Sequence, residues 1–136
     1  SWTERVRIWS KPANEQTVAN LTKNSWEARL PLLAGYSEGK AGKLKDNAQG
    51  LTLSRAGILV TAFGDNPDGI GSILRLWEQT GISGECIVEF PEGIQVISAQ
   101  PVNLRGEKQE KPIEVKNGRF SFELKGYAPA SFLLQF

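Results

Sequence analysis

The chain predicts an all-β fold, an antiparallel β-sandwich of short strands preceded by a poorly defined N-terminal segment. Three observations carry this expectation. From Leu51 onward, short apolar runs recur between turn signals built of Gly, Pro and Asn. Several of these runs alternate with a period of two, and no long helical pattern separates them. Frequent short strands joined in this way suit a sandwich or barrel, whereas a parallel sheet needs crossover helices between its strands.

In chain order, Thr3 to Trp9 alternates as Thr-Glu-Arg-Val-Arg-Ile-Trp, which sets Val6 and Ile8 against Arg5 and Arg7 and predicts a half-buried strand. Between Asn14 and Leu33 a weak helical stripe of Val18, Leu21 and Ala28 is interrupted by Thr, Asn and Ser. Ala34 to Gly50 carries four glycines, three lysines and little apolar content, so it reads as a long surface loop or connector. The predicted strands are then Leu51 to Leu53, Ile58 to Phe63, Ile70 to Glu78, Glu85 to Phe90, Ile94 to Ala99, Pro112 to Val115, Arg119 to Leu124 and Ser131 to Phe136.

Ile58 to Phe63 is rich in β-branched and aromatic residues and too short for a typical helix. The loop Gly64-Asp65-Asn66-Pro67-Asp68-Gly69 follows it with residues that fix φ, tolerate positive φ or bond nearby amides, so this run and the next form a hairpin. Further on, Cys86, Val88 and Phe90 share one strand face, and Phe120, Phe122 and Leu124 share another. These two sets are the predicted core.

Composition bounds the function. A chain of 136 residues suits one domain, with residues 1 to 50 as a strand and loop-rich lead-in and 51 to 136 as the sandwich. At this length roughly two thirds of the unfolded chain's surface can be buried. The net charge of +1 gives no electrostatic case for nucleic acid. No run reaches the roughly 18 apolar residues of a membrane-spanning helix, so no membrane partner is expected either. The absence of histidine excludes a Ser-His-Asp triad, a Cys-His pair and any His-ligated zinc within this chain. A single cysteine excludes an internal disulfide. The chain begins at Ser1 and has no methionine, which reads as a part excised from something larger with its targeting information upstream.

Each candidate site has a simpler competitor. Asp65, Asn66 and Asp68 offer oxygen ligands in one loop, but turns use the same residues beside Pro and Gly, and the spacing departs from the EF-hand pattern. Twelve glutamates and three aspartates make some carboxylate pair inevitable, as glycoside hydrolysis requires, yet most glutamates fall at outward strand positions or in the charged stretch Arg105 to Lys111. Cys86 lies on an apolar strand face without a histidine to activate it, so it reads as an inert thiol. Trp2, Trp9, Trp26 and Trp77 could stack on sugar rings or fill a core. If Ile70, Ser72, Leu74 and Leu76 face the core, then Ile73, Arg75 and Trp77 share the opposite side, an apolar patch that calls for a partner.

The segments LTLSRAGILVTAFGDNPDGIGSILRLWEQTGISGECIVEF, QPVNLRGE and GYAPASFLLQF, in that order, resemble the C-terminal β-sandwich region of glycoside hydrolase family 38, the α-mannosidases. The resemblance covers about Leu51 to Phe136, and Leu74-Arg75-Leu76-Trp77-Glu78 with its preceding loop is its most identifying part. Leu30-Pro31-Leu32-Leu33 looks like the lead-in to this region.

The resemblance implies a parent enzyme that hydrolyses α-linked mannose with retention. It uses an aspartate nucleophile and a divalent metal held by Asp and His in an N-terminal catalytic domain. None of those elements maps onto this chain, so no catalytic residue and no cofactor is assigned to it. The expected role is that of a non-catalytic accessory domain packed against the catalytic domain of the same polypeptide. On that reading the loop Gly64 to Gly71 reaches toward the substrate cleft, and Ile73, Arg75 and Trp77 lie at the packing face. An autonomous module that binds mannose-containing glycans, or a sandwich unrelated to hydrolases, are the alternatives.

Overall fold

The structure is a computed structural model that describes residues 2–4, 6–15, 17–30, 32–36, 47–67 and 69–136. It is an all-β, sandwich-like fold with one α-helix, α1 (Val18–Arg29), preceded by a short 3-10 turn at Ala13–Glu15, among the described residues. The strands are β1 (Thr52–Leu53), β2 (Ile58–Asp65), β3 (Ser72–Glu78), β4 (Gly84–Glu89), β5 (Ser98–Val102), β6 (Ile113–Glu114), β7 (Arg119–Leu124) and β8 (Pro129–Gln135). They form two antiparallel sheets, β1-β4-β7 and β2-β3-β8-β5-β6.

Apolar alternation places the core between the sheets. The larger sheet turns Leu74, Leu76, Ala99, Phe132 and Leu134 inward, and the smaller one supplies Cys86, Val88, Phe120 and Leu124, with Phe90 just beyond β4. The expected core face of β4 and β7 is therefore buried, with Phe122 only partly so. Phe132 crosses the gap to meet Phe120 and Phe122 edge-on, at ring separations of 5.1 and 4.7 Å. Such tilted contacts suit the ring quadrupoles.

The β2–β3 hairpin has one irregularity that matters for its faces. Its register shifts between Val60 and Ala62, which makes Thr61 a bulge residue. Val60 therefore pairs with Leu76 and Phe63 with Leu74, so both point inward despite their odd spacing. Phe63 reaches Phe90 of the opposite layer at a ring separation of 6.3 Å.

Three sequence expectations need correction. The described residues of Thr3 to Trp9 form no strand, and Ile8 is 93% exposed, because alternation makes a strand only where a partner edge lies alongside. The third strand starts at Ser72 rather than Ile70, since Gly71 holds φ +92 and a Cβ there would lie 2.8 Å from the Leu134 carbonyl. Ile70 is exposed instead of facing the core. The run Ile94 to Ala99 is mostly loop, and β5 instead continues through Pro101. The Pro101 carbonyl accepts from the Gln109 N–H at 3.1 Å, so its missing N–H faces that side and not β8. A proline is tolerable in such a place.

The weak stripe between Asn14 and Leu33 does form α1, capped by the Thr17 side chain, which accepts the Asn20 N–H at 3.2 Å. The helix buries none of its residues, however, and is tied to the sandwich by the Trp26 indole N–H, which donates to Gln79 Oε1 at 2.5 Å. Most of the predicted connector Ala34 to Gly50 lies outside the described residues.

Candidate functional site

The outward face of the five-stranded sheet follows from the register. Trp77 stands between Leu59 and Pro129, Arg75 between Ala62 and Ser131, and Ile73 between Gly64 and Leu133. Ser131 and Leu133 continue the same rows to Val102 and Gln100. Ile73, Arg75 and Trp77 thus share the side opposite Leu74 and Leu76. Their exposures differ: Ile73 is 5% exposed, Trp77 is 44% exposed, and Arg75 is half-buried. The Arg75 Nε is shielded from solvent and has no hydrogen-bond partner.

Tyr127 lies on the turn before β8, with its carbonyl against Trp77, and nothing in the chain's pattern marks it beyond its place before Pro129. The residue is 69% exposed and its backbone sits at φ +59, a strained conformation for a residue with a side chain. The Trp77 indole N–H donates to its carbonyl at 3.4 Å. Its own N–H donates to Glu78 Oε2 at 2.9 Å.

Glu78 therefore anchors the aromatic end of the face. It follows Leu74 and Leu76 on the inward side of β3 and is 1% exposed. Besides Tyr127, it accepts the backbone N–H groups of Thr80 at 2.9 Å and Gly81 at 2.7 Å, together with the Thr80 hydroxyl. Burial by itself pushes the carboxyl upward, but these hydrogen bonds outweigh it and hold the group at about 2. A carboxylate held this way stays ionised and cannot serve as a general acid near neutrality. The expectation that the glutamates lie mostly outward thus has one exception among the described residues, which the parity of β3 was enough to find.

Glycines close the same corner. A Cβ on Gly81, whose φ is +81, would fall 2.7 Å from the Tyr127 ring, and one on Gly126 would fall 2.5 Å from the Gly81 carbonyl.

The other candidates are placed as follows. Asp65 ends β2 opposite Ser72 and is exposed. The Asn66 N–H donates to the Gly71 carbonyl at 2.9 Å and closes the loop. Asp68 lies outside the described residues. Among the described residues no cluster of His, Cys, Asp and Glu could hold a metal ion, and no helix is long and apolar enough to cross a membrane.

Cys86 is fully buried, and burial pushes its thiol upward while Arg55 pulls the other way. Of the tryptophans, Trp2 and Trp9 are exposed and Trp26 lies under the Arg29 guanidinium, 5.3 Å from its ring centre. No ring contact joins two tryptophans among the described residues. A groove of about 280 Å³ separates α1 from the start of β2, lined by Ala19, Trp26, Gly57, Ile58, Leu59 and Gln79.

The chain matches no protein-family model, no curated protein and no solved structure.

Proposed function

We propose that this chain is the non-catalytic C-terminal accessory domain of an α-mannosidase-like glycoside hydrolase, and that it works by packing against the catalytic domain of the same polypeptide. The observation that supports this reading best is unpartnered apolar surface. Ile8, Leu32, Leu33 and Tyr36 are at least nine-tenths exposed, no residue of α1 is buried, Trp77 is partly open on the sheet face, and Tyr127 is exposed on the turn before β8. Exposed apolar surface on this scale marks an interaction site.

The chain's own chemistry agrees with a non-catalytic role. It has no histidine, its one cysteine is buried, and its deeply buried carboxylate, Glu78, is locked into hydrogen bonds. Gly64 and Asp65 belong to β2, and on this reading the connection between Asp65 and Ser72 is what reaches toward the substrate cleft.

A sugar-binding module is the second reading, and exposed Trp77 beside Tyr127 is the feature that favours it. One comparison separates the two. The polypeptide that carries this chain together with its upstream region is expected to hydrolyse an aryl α-mannoside and to lose that activity to a chelator. The 136-residue chain alone is expected to do neither chemistry nor binding, and to give no heat with millimolar mannose oligosaccharides in calorimetry. Heat from the isolated chain supports the sugar-binding reading, and an intact polypeptide inactive on α-mannosides removes the mannosidase assignment.

A further inference from the structure

We propose that a second copy of this chain completes the smaller sheet, with Thr3 to Trp9 of one copy adding to β7 of the other as an antiparallel strand. The inference goes beyond the accessory-domain reading and does not depend on it. Thr3 to Trp9 alternates like a strand, yet Val6, Arg7, Ile8 and Trp9 are exposed and make no backbone hydrogen bond. β7 is the complementary half. It is the edge of the sheet β1-β4-β7, and beyond the turn that pairs Lys116 with Arg119 its far side has no partner strand among the described residues. The other long edge, β2, carries the Thr61 bulge, a device that guards an edge against strand addition, whereas β7 keeps an unbroken register with β4 from Arg119 to Leu124.

Charge and apolar alternation select one register. An antiparallel strand that sets Val6 opposite Phe122 and Ile8 opposite Phe120 continues the apolar inner side past β7, where Phe122 is only partly buried. In the same alignment Arg5 falls opposite Glu123 and Arg7 diagonal to it, on the outer side. A cation at that place relieves a repulsion already in the sheet. Glu123 stands directly opposite Glu85 in the β4–β7 pair, a like-charge arrangement, and neither has an ion-pair partner; Arg55 and Lys125 form none with them. Sliding the added strand by two residues sets Arg7 against Arg119 in one direction and Arg5 against Lys125 in the other, so both neighbouring registers are disfavoured. Because each copy offers one strand and one edge, the exchange is mutual and closes as a two-fold dimer. The area is small for a dimer, so the pair is expected to hold at about 10–100 µM and the dilute chain to stay monomeric.

The test uses the 136-residue chain. Sedimentation equilibrium should show monomer at about 1 µM and dimer at about 500 µM. Val6→Pro removes a strand amide from an exposed segment, so the variant should keep the thermal midpoint of the unmodified protein and lose the dimer. Glu123→Lys should weaken the dimer about tenfold, since the change acts at both ends of a two-fold interface, and combining it with Arg5→Glu should restore it. Chains carrying Arg7→Cys, mixed with chains carrying Ser121→Cys, should form an intermolecular disulfide under mild oxidation. A chain that is monomeric at the higher concentration overturns the proposal. So does a dimer that Val6→Pro leaves intact, because the copies then meet on another surface. A double variant, Arg7→Cys with Ser121→Cys, that closes its disulfide within a monomer assigns the strand to its own edge and equally overturns the proposal.

Discussion

Replacing Glu78 with Gln is expected to remove about 3 kcal/mol of stability at pH 7 and to flatten the protein's response to acid. The reason is the gap between an ordinary glutamate at 4.5 and the folded value of about 2. Because the folded group holds its proton less tightly than the unfolded one, its contribution is fully present above about pH 4.5. It is lost progressively as the pH falls toward 2. Urea unfolding at several pH values reads this directly. The unmodified chain should weaken across that window through this group, and the Gln variant should not show that component. Parallel pH profiles for the two proteins would show that the carboxylate is not held as the hydrogen bonds from Thr80, Gly81 and Tyr127 require.

Phe132→Ala is expected to cost about 3–5 kcal/mol, a large share of the roughly 5–15 kcal/mol that keeps a domain folded. Phe132 is buried and contacts Phe120 and Phe122 across the sandwich, so its loss opens a cavity between the sheets and removes both ring contacts. Phe136, on the same terminal segment but exposed, provides the control. Its replacement by Ala should stay within about 0.5 kcal/mol. Equal effects at the two positions would mean that the sheets do not close over Phe132.

Residues 51 to 136 were legible as strands because their chemistry is local. β7 has the bounds that alternation assigns to Arg119–Leu124, and the hairpin that joins β2 and β3 is written in its Gly, Pro and Asp residues. What the pattern missed depends on neighbours. The exposed Val6 and Ile8 alternate like a strand but have no edge to pair with among the described residues. The Thr61 bulge shifts the parity of β2 in response to β3, and Pro101 reads as a breaker until its carbonyl is seen to face Gln109.

The outward placement of Arg75 and Trp77 could be read from β3 alone, since Leu74 and Leu76 declare the other side. Glu78 follows from the same parity once the strand is extended by one residue. Tyr127 could not be found this way. Its place at the rim is imposed by a carboxylate 49 residues earlier in the chain, through a bond that holds it at positive φ.

On the proposed reading, the Trp77 end of the outward sheet face and the exposed apolar residues of the N-terminal segment meet the rest of a larger enzyme. Hydroxyl-radical footprinting of the unmodified protein tests this most directly, by comparing the 136-residue chain alone with the intact polypeptide. Trp77, Tyr127, Ile8, Leu32 and Tyr36 should be oxidised readily in the isolated chain and protected together in the intact one. Exposed Leu104, on the turn after β5, should react alike in both. Equal oxidation of Trp77 and Tyr127 in the two forms would contradict the packing of this face against a catalytic domain.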